Sequence, residues 1–290
     1  MSGLVRSTVR PAADADQEAV RAISTAYDNL RPWPERPDFL DHEFREGRMV
    51  VAEWNGEVVA FGGTFDRGEV VYLADLFVRP DFVGHGAGSA ILQALFDRGE
   101  VRMTAASGDP RALPLYARFG MRPLLPALYL HAMAGAIGSL DAGSPALSPA
   151  APDVIAGIDA EASARPRAQD HAFLFSCPGA EGFVLDGAAE PAAYGWIRTV
   201  SIDDGTRSDR HAFLGPIGGR TEDDMERVTR ALAVRAAAGA SHVHLLLLGP
   251  HPGLGPLLAA GFRLVDRDTW MCSRLDLVDG RRYAPSPELG

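Results

Sequence analysis

The sequence predicts an α+β fold whose mixed sheet, flanked by helices, is built twice along one chain. Three observations carry that expectation. Apolar residues alternate with a period of two in some stretches and recur at three- and four-residue steps in others, in interleaved order. Asn55-Gly56 stands between two apolar runs, the strongest short hairpin signal. The order of elements read over residues 14–131 also returns, with little residue identity, over residues 154–277. A chain of 290 residues suits about two such domains.

In the first half, Asp14 caps a helix whose stripe is Val20, Ile23 and Tyr27. Residues 30–37 hold Trp33 and are broken by three prolines; a short helix over 39–46 follows. Residues 49–53 and 57–65 form the hairpin around Asn55-Gly56, and 69–78 is strongly β-prone. A glycine loop, 84–88, opens a helix carrying Ile91, Leu92, Leu95 and Phe96, which Gly99 can end. A strand over 101–105, a helix over 111–118 and a last strand over 124–131 complete the half.

Residues 132–152 are rich in Ala, Gly, Ser and Pro and read as a linker. The domains expected are therefore 1–131 and 153–290. In the second, 154–162 reads as helix, 182–186 and 192–200 as a hairpin and 210–217 as a strand. A helix over 222–238, an apolar strand over 242–248, a helical turn over 256–260 and a closing strand over 263–273 follow. The tail 281–290 reads as loose.

Composition excludes several chemistries. The net charge of −10 and the absence of a basic stripe argue against nucleic acid, and weakly favour cationic small molecules. All 28 basic residues are Arg, so no Lys nucleophile, Schiff base or phosphate-loop Lys exists. Two distant cysteines make neither a disulfide framework nor a zinc knuckle, which points to a reducing cytoplasm. No apolar run approaches the ~18 residues of a span, so neither signal peptide nor membrane contact is expected. His242 and His244 share a strand face near His251, but nothing completes a ligand set, and no metal is expected.

The informative segment is 70–96. A strand delivers the chain into a loop with Gly84, Gly86 and Gly88, where bare amides and a helix N-terminus suit a phosphate group. Ser89 breaks Rossmann spacing, and the lack of Lys breaks a Walker loop. Val78-Arg79-Pro80 followed by Val83-Gly84-His85-Gly86-Ala87-Gly88 resembles the signature of the GNAT acyltransferase superfamily. Asp109-Pro110-Arg111-Ala112-Leu113-Pro114-Leu115-Tyr116, then Phe119-Gly120-Met121, resembles the family's second motif. The resemblance covers about residues 4–131. The chain departs from it at Val83 (commonly Arg or Gln), at Asp109 (commonly Asn), and at Ala74. In the family's diamine acetyltransferases Ala74's place holds a Glu acting through water, so Ala74 weighs against a diamine acceptor.

The resemblance implies a tandem GNAT-like fold and an N-acetyltransferase. In it the amine attacks acetyl-CoA, the co-substrate, directly through a tetrahedral intermediate. The coenzyme would lie along Leu76, Phe77 and Val78 and on the loop of Val83, Gly84, His85, Gly86, Ala87, Gly88 and Ser89, with Asp109 and Tyr116 beside it. A backbone amide near Phe77 or Val78 would hold the oxyanion. Tyr116 would be the general acid, and Asp75 and Glu53 are candidate bases. Tyr27 and Trp33 would line the acceptor pocket. The second half lacks the loop: Glu222, Asp223 and Asp224 open its helix and repel a diphosphate. The chain thus resembles bacterial two-domain GNAT proteins with one degenerate half, a monomer or homodimer acting on a small-molecule amine. Two alternatives stay open, an acyl-CoA-binding sensor without turnover and a longer acyl chain.

Overall fold

The computed structural model describes residues 8–96, 99–140, 143–187, 190–203 and 205–290. Residues 4–7 of the stretch that carries the resemblance, and residues 141 and 142 of the expected linker, lie outside this set.

The first half runs β1 (Thr8–Pro11), α1 (Gln17–Thr25), α2 (Phe39–Glu46), β2 (Arg48–Trp54), β3 (Glu57–Arg67), β4 (Val70–Val78), α3 (Ala87–Leu95), β5 (Val101–Ala106), α4 (Ala112–Arg118) and β6 (Arg122–Met133). Asn55 and Gly56 both take positive φ, as a two-residue type I′ hairpin turn requires. Helix α1 stops short of Tyr27, because Asp28 enters the left-handed region and a proline-rich segment follows. Helix α2 begins with Asp38, whose side chain accepts from the Asp41 amide.

The expected linker carries the end of β6, a 3-10 turn over Ala134–Leu140 and a short strand β7 (Leu147–Pro149), with Ile137 and Leu140 buried. The second half runs α5 (Pro152–Ser163), α6 (Ala168–Ser176), β8 (Ala180–Leu185), β9 (Ala193–Asp203), β10 (Ser208–Gly219), α7 (Glu222–Ala237), β11 (His242–Leu248), α8 (Leu254–Ala259), β12 (Arg263–Cys272) and β13 (Tyr283–Ala284). Helix α6 escaped the sequence pattern because its inner face mixes polar with apolar residues, Phe173 and Leu174 being buried beside two polar side chains. Asp170 and His171 are fully buried there, and Asp170 sits 2.8 Å from His42 of α2.

All thirteen strands join one sheet, in the order β1-β2-β3-β4-β5-β12-β6-β11-β10-β9-β8-β7, with β13 set against β10. The strands that close the halves in sequence are exchanged in space. β12, from the second half, pairs with β5 of the first, while β6, from the first, pairs with β11 of the second. One apolar cluster packs α3 on the first half (Ile91, Leu92, Leu95), and another packs α7 on the second (Val228, Leu232). A third runs through the middle, from Phe39 and Phe65 to Trp196, Trp270 and Tyr283.

The tail corrects an expectation. Residues 281–290 are not loose: Tyr283, Ala284 and Leu289 are buried. Their apolar side chains fill an opening where β10 leaves β11, and β13 adds there as an antiparallel strand (Ile217 opposite Ala284, Gly218 opposite Tyr283). Among the described residues no helix is long and apolar enough to cross a membrane.

Candidate active site

Strands β4 and β5 pair in parallel only from Val70–Val101 to Leu73–Thr104. Beyond that point β5 turns to β12 and β4 keeps only β3, so the sheet parts. The register of β3 and β4 slips between Gly63/Asp75 and Thr64/Leu73, leaving Ala74 as the extra residue of a bulge. The bulge sets Ala74 and Asp75 on one face: Ala74 packs on the central cluster, and Asp75 accepts from Asn29 Nδ2 at 3.3 Å. The Arg79 amide donates to Val59 O of β3. By antiparallel alternation Phe77 also turns its backbone toward β3, and Leu76 and Val78 present theirs to the gap. Val78 O accepts there from the Tyr27 hydroxyl at 2.5 Å.

A cavity of about 570 Å³ opens from this gap. Asp75, Leu76, Phe77, Tyr116, Tyr27 and Trp33 all line it, so six of the residues singled out in sequence meet at one place. Tyr116 is 7% exposed, and burial near Asp75 and Asp268 pushes its phenol well above the usual range, which keeps it protonated. Asp75 is 5% exposed, its Oδ2 has no hydrogen-bond partner, and burial raises its carboxyl to about 7. Behind it lies Glu43 of α2, fully buried, its carboxyl held far up by burial and by the Asp75 charge. Two buried carboxyls this closely coupled share a proton.

Glu43 reads as a solvated helix residue in sequence. The signal that could have found it is Gly62-Gly63 inside β3, since glycine in a strand marks a close approach. A Cβ on Gly63 would fall 1.8 Å from Glu43 Oε1.

The loop that opens α3 has Gly84 and Gly86 at φ 88° and 87°, and nothing lies within 4 Å of a Cβ on either. Both need glycine for conformation, and the space beside them is free for a ligand. A Cβ on Gly88 would touch Leu76 and Val78 at 3.8 Å, which places the first turn of α3 directly on β4. His85 Nδ1 donates to Phe82 O at 3.1 Å. Open amides at a helix N-terminus beside an unpaired strand edge fit a diphosphate and its amide-bearing arm. Val78 and the loop residues 83–89 lie outside the cavity wall, and so do Glu53 and Asp109. Glu53 is ion-paired to Arg10 at 2.6 Å on β2, and Asp109 is held by Arg111, which lowers its carboxyl to about 2.

The second half repeats the parting. β10 and β11 pair only from His211–His242 to Leu214–Leu245, and a bulge at Gly215-Pro216 follows. Here the gap holds β13. The chain after β10 enters α7 capped by Thr221, with Glu222, Asp223 and Asp224 in the first turn, so no glycine loop stands ready for an anion. Sequence reasoning also missed residues that the second half lends to the cavity. Arg198 stacks 3.6 Å from the Trp33 ring centroid and donates to Pro32 O at 2.7 Å. Asp268 accepts from Tyr129 at 2.9 Å, and Glu288 Oε1 accepts from Trp33 Nε1 at 3.2 Å. Beneath these strands His131, His211, His242 and His244 pair with one another (His131–His242 and His211–His244, both 3.0 Å). Among the described residues no group of three His, Cys, Asp or Glu has metal-holding geometry.

Residues 17–121 match the family model of the Acetyltransferase (GNAT) family. No curated protein matches the chain. Among solved structures, a candidate acetyltransferase from Pyrococcus horikoshii superposes with a TM-score of 0.73 at 15% identity, over 100% of this chain and 98% of that one. A tandem GNAT protein from the clavulanic acid biosynthesis pathway reaches 0.59 at 15% identity, over 94% and 100%. A GCN5-related N-acetyltransferase from Anabaena variabilis reaches 0.59 at 11%, over 93% and 73%. At these identities the structures speak for the fold, and the family match speaks for residues 17–121, where the parted strands, the glycine loop and Tyr116 all lie. Residues 17–121 thus carry a domain of the Acetyltransferase (GNAT) family, and the chain as a whole has the fold of two-domain GNAT structures.

Proposed function

We propose that the protein transfers an acetyl group from acetyl-CoA to a primary amine by direct attack, with the chemistry in the first half. The observation that carries this reading is the convergence of Asp75, Tyr116 and the unpaired edge of β4 on one cavity. Burial brings the Asp75 carboxyl to about 7 and holds the Tyr116 phenol protonated, which suits a base and an acid in turn. The Leu76–Val78 edge and the Val83–Ser89 loop would hold the co-substrate, whose thioester supplies the acyl group. The Val78 amide, turned into the gap, would stabilise the tetrahedral oxyanion.

Asp75, poised near neutrality, takes the proton the attacking amine gives up, directly or through one water, and Glu43 shares that charge behind it. Nitrogen bonds to the acyl carbon as the carbonyl electrons move to oxygen; collapse of that tetrahedral oxyanion then breaks the carbon–sulfur bond, and Tyr116 gives its proton to the departing thiolate. The second half supplies the far wall of the acceptor pocket.

The test is thiol release from acetyl-CoA over a panel of amines, with Tyr116→Phe beside the wild type. The variant should release thiol at least about a hundredfold more slowly, as loss of a general acid does, while binding coenzyme A with similar affinity. Coenzyme binding without thiol release from any amine would favour a sensor instead.

A further inference from the structure

The parted edge of β4 is not bare. An unpaired strand edge leaves backbone groups in need of partners, and at Val78 the protein supplies one itself. Val78 O, which strand alternation turns into the gap, accepts from the Tyr27 hydroxyl at 2.5 Å. The Tyr27 ring lies 5.1 Å from that of Phe77. Partial burial raises the Tyr27 phenol, and Arg111 and Asp109 act on it in opposite directions, which sets the hydroxyl between the end of β4 and the chain entering α4. Tyr27 therefore lies across the gap. Its hydroxyl stands where an arm that pairs with β4 as an added strand would present an amide N–H. A carbonyl has two lone pairs, but a strand partner needs the one directed across the gap, the side from which Tyr27 comes.

The segment that carries Tyr27 is free at one end and fixed at the other. The amides of Tyr27, Asp28, Asn29 and Arg31 donate to Ser24 O, Thr25 O, Ser24 O and Asp28 O, within the turn itself or the last residues of α1. Two side chains hold the turn to β4 by hydrogen bonds, Tyr27 on Val78 O and Asn29 on Asp75 at 3.3 Å. Tyr27 is 41% exposed, so its hydroxyl can leave the gap without opening the core. Trp33, further along, is 5% exposed, with the Arg198 guanidinium over its ring and its indole donating to Glu288. That end is tied to the second half, and the end that rests on β4 is not.

We infer that Tyr27 is an autoinhibitory latch on β4: its hydroxyl holds Val78 O in the free protein, and the coenzyme's arm must displace it to pair with the strand. This rests on the acyl-transfer reading, which lays the arm along Leu76, Phe77 and Val78. The contact works against the arm alone. The diphosphate meets the loop of residues 83–89, which Tyr27 leaves untouched. Only the protein with the latch open is competent to pair with the arm, so the latch lowers the apparent affinity by the fraction of molecules in which it is open.

The experiment measures binding of coenzyme A to the full chain and to Tyr27→Phe, which keeps the ring on Phe77, by calorimetry and stopped flow. The coenzyme's nucleotide half, which has the diphosphate and no arm, is measured beside it. Tyr27→Phe should bind coenzyme A about threefold to tenfold more tightly, the scale of one neutral hydrogen bond. The gain should lie in the association rate, because the hydroxyl contact exists only in the free protein. The nucleotide half should bind both proteins alike. Unchanged or weaker binding of coenzyme A by the variant overturns the latch and leaves acyl transfer standing. So does a gain that comes from slower dissociation, or one that the nucleotide half shares. Should wild type and variant both fail to bind coenzyme A, the acyl-transfer reading falls and the latch falls with it.

Discussion

At the residue scale, the proposed chemistry depends on one carboxyl whose surroundings set its proton affinity. Asp75 is buried, shares a proton with Glu43 and feels Glu288, and its carboxyl stands near 7. A base must be deprotonated to act, so activity should rise with pH through about 7 and fall away below it. Asp75→Asn should lower kcat by about a hundredfold or more and abolish that acid limb. A variant that keeps the limb would show that another group titrates. Asp75 was legible because it flanks a recognisable motif. Glu43 was not, because a Glu on a short helix looks solvated until Gly63 is seen to make room for it. Glu288 was illegible for a different reason. Its segment has the Pro, Ser and Gly content of a free tail, and only a gap in a distant pair of strands gives it a place to bury Tyr283 and Leu289.

At the scale of elements, the sequence-predicted strands and helices recur within a few residues of their expected bounds, because each is set by local pattern and turn chemistry. The Asn55-Gly56 hairpin, the Gly84–Gly86 entry to α3 and the Asp38 cap of α2 are examples. What local pattern cannot give is which strand lies beside which. The histidines make the point. In sequence His131, His211, His242 and His244 belong to three separate strands, and pairing of β6, β11 and β10 stacks them. Burial and mutual repulsion hold His131 and His211 below their usual range and bring His244 to about 3. With the folded values depressed, the unfolded chain takes up protons first as pH falls below about 6.5, so this cluster withdraws stability on acidification. Glu43 and Asp75 act oppositely, since their raised values favour the fold as pH falls from 7 toward 4. The histidine contribution is therefore read by difference. His244→Leu should lose less melting temperature than wild type between pH 7.5 and 5. An equal or larger loss in the variant would mean that these imidazoles do not govern the acid response.

At the scale of the whole molecule, the question is whether two similar halves behave as two units. A chain of two domains joined by a linker usually unfolds in two steps. Here the closing strands are exchanged: β12 pairs with β5 over Met103–Ala106, and β6 pairs with β11 over 127–133. Buried polar contacts cross as well, His42 and Arg67 of the first half both meeting Asp170 of the second. Separating the halves would leave β5 and β11 as bare edges and strand the Asp170 carboxylate without its partners, a penalty of several kcal/mol for each buried charge. The cavity beside the parted strands is also lined from both halves, so neither can keep it alone. Calorimetry of the intact chain should therefore show one unfolding transition whose van't Hoff and calorimetric enthalpies agree. Residues 1–131 expressed alone should show no cooperative melt. Two resolved transitions, or a first half that folds and binds coenzyme A unaided, would mean that the exchanged strands couple the halves far less than their pairing implies.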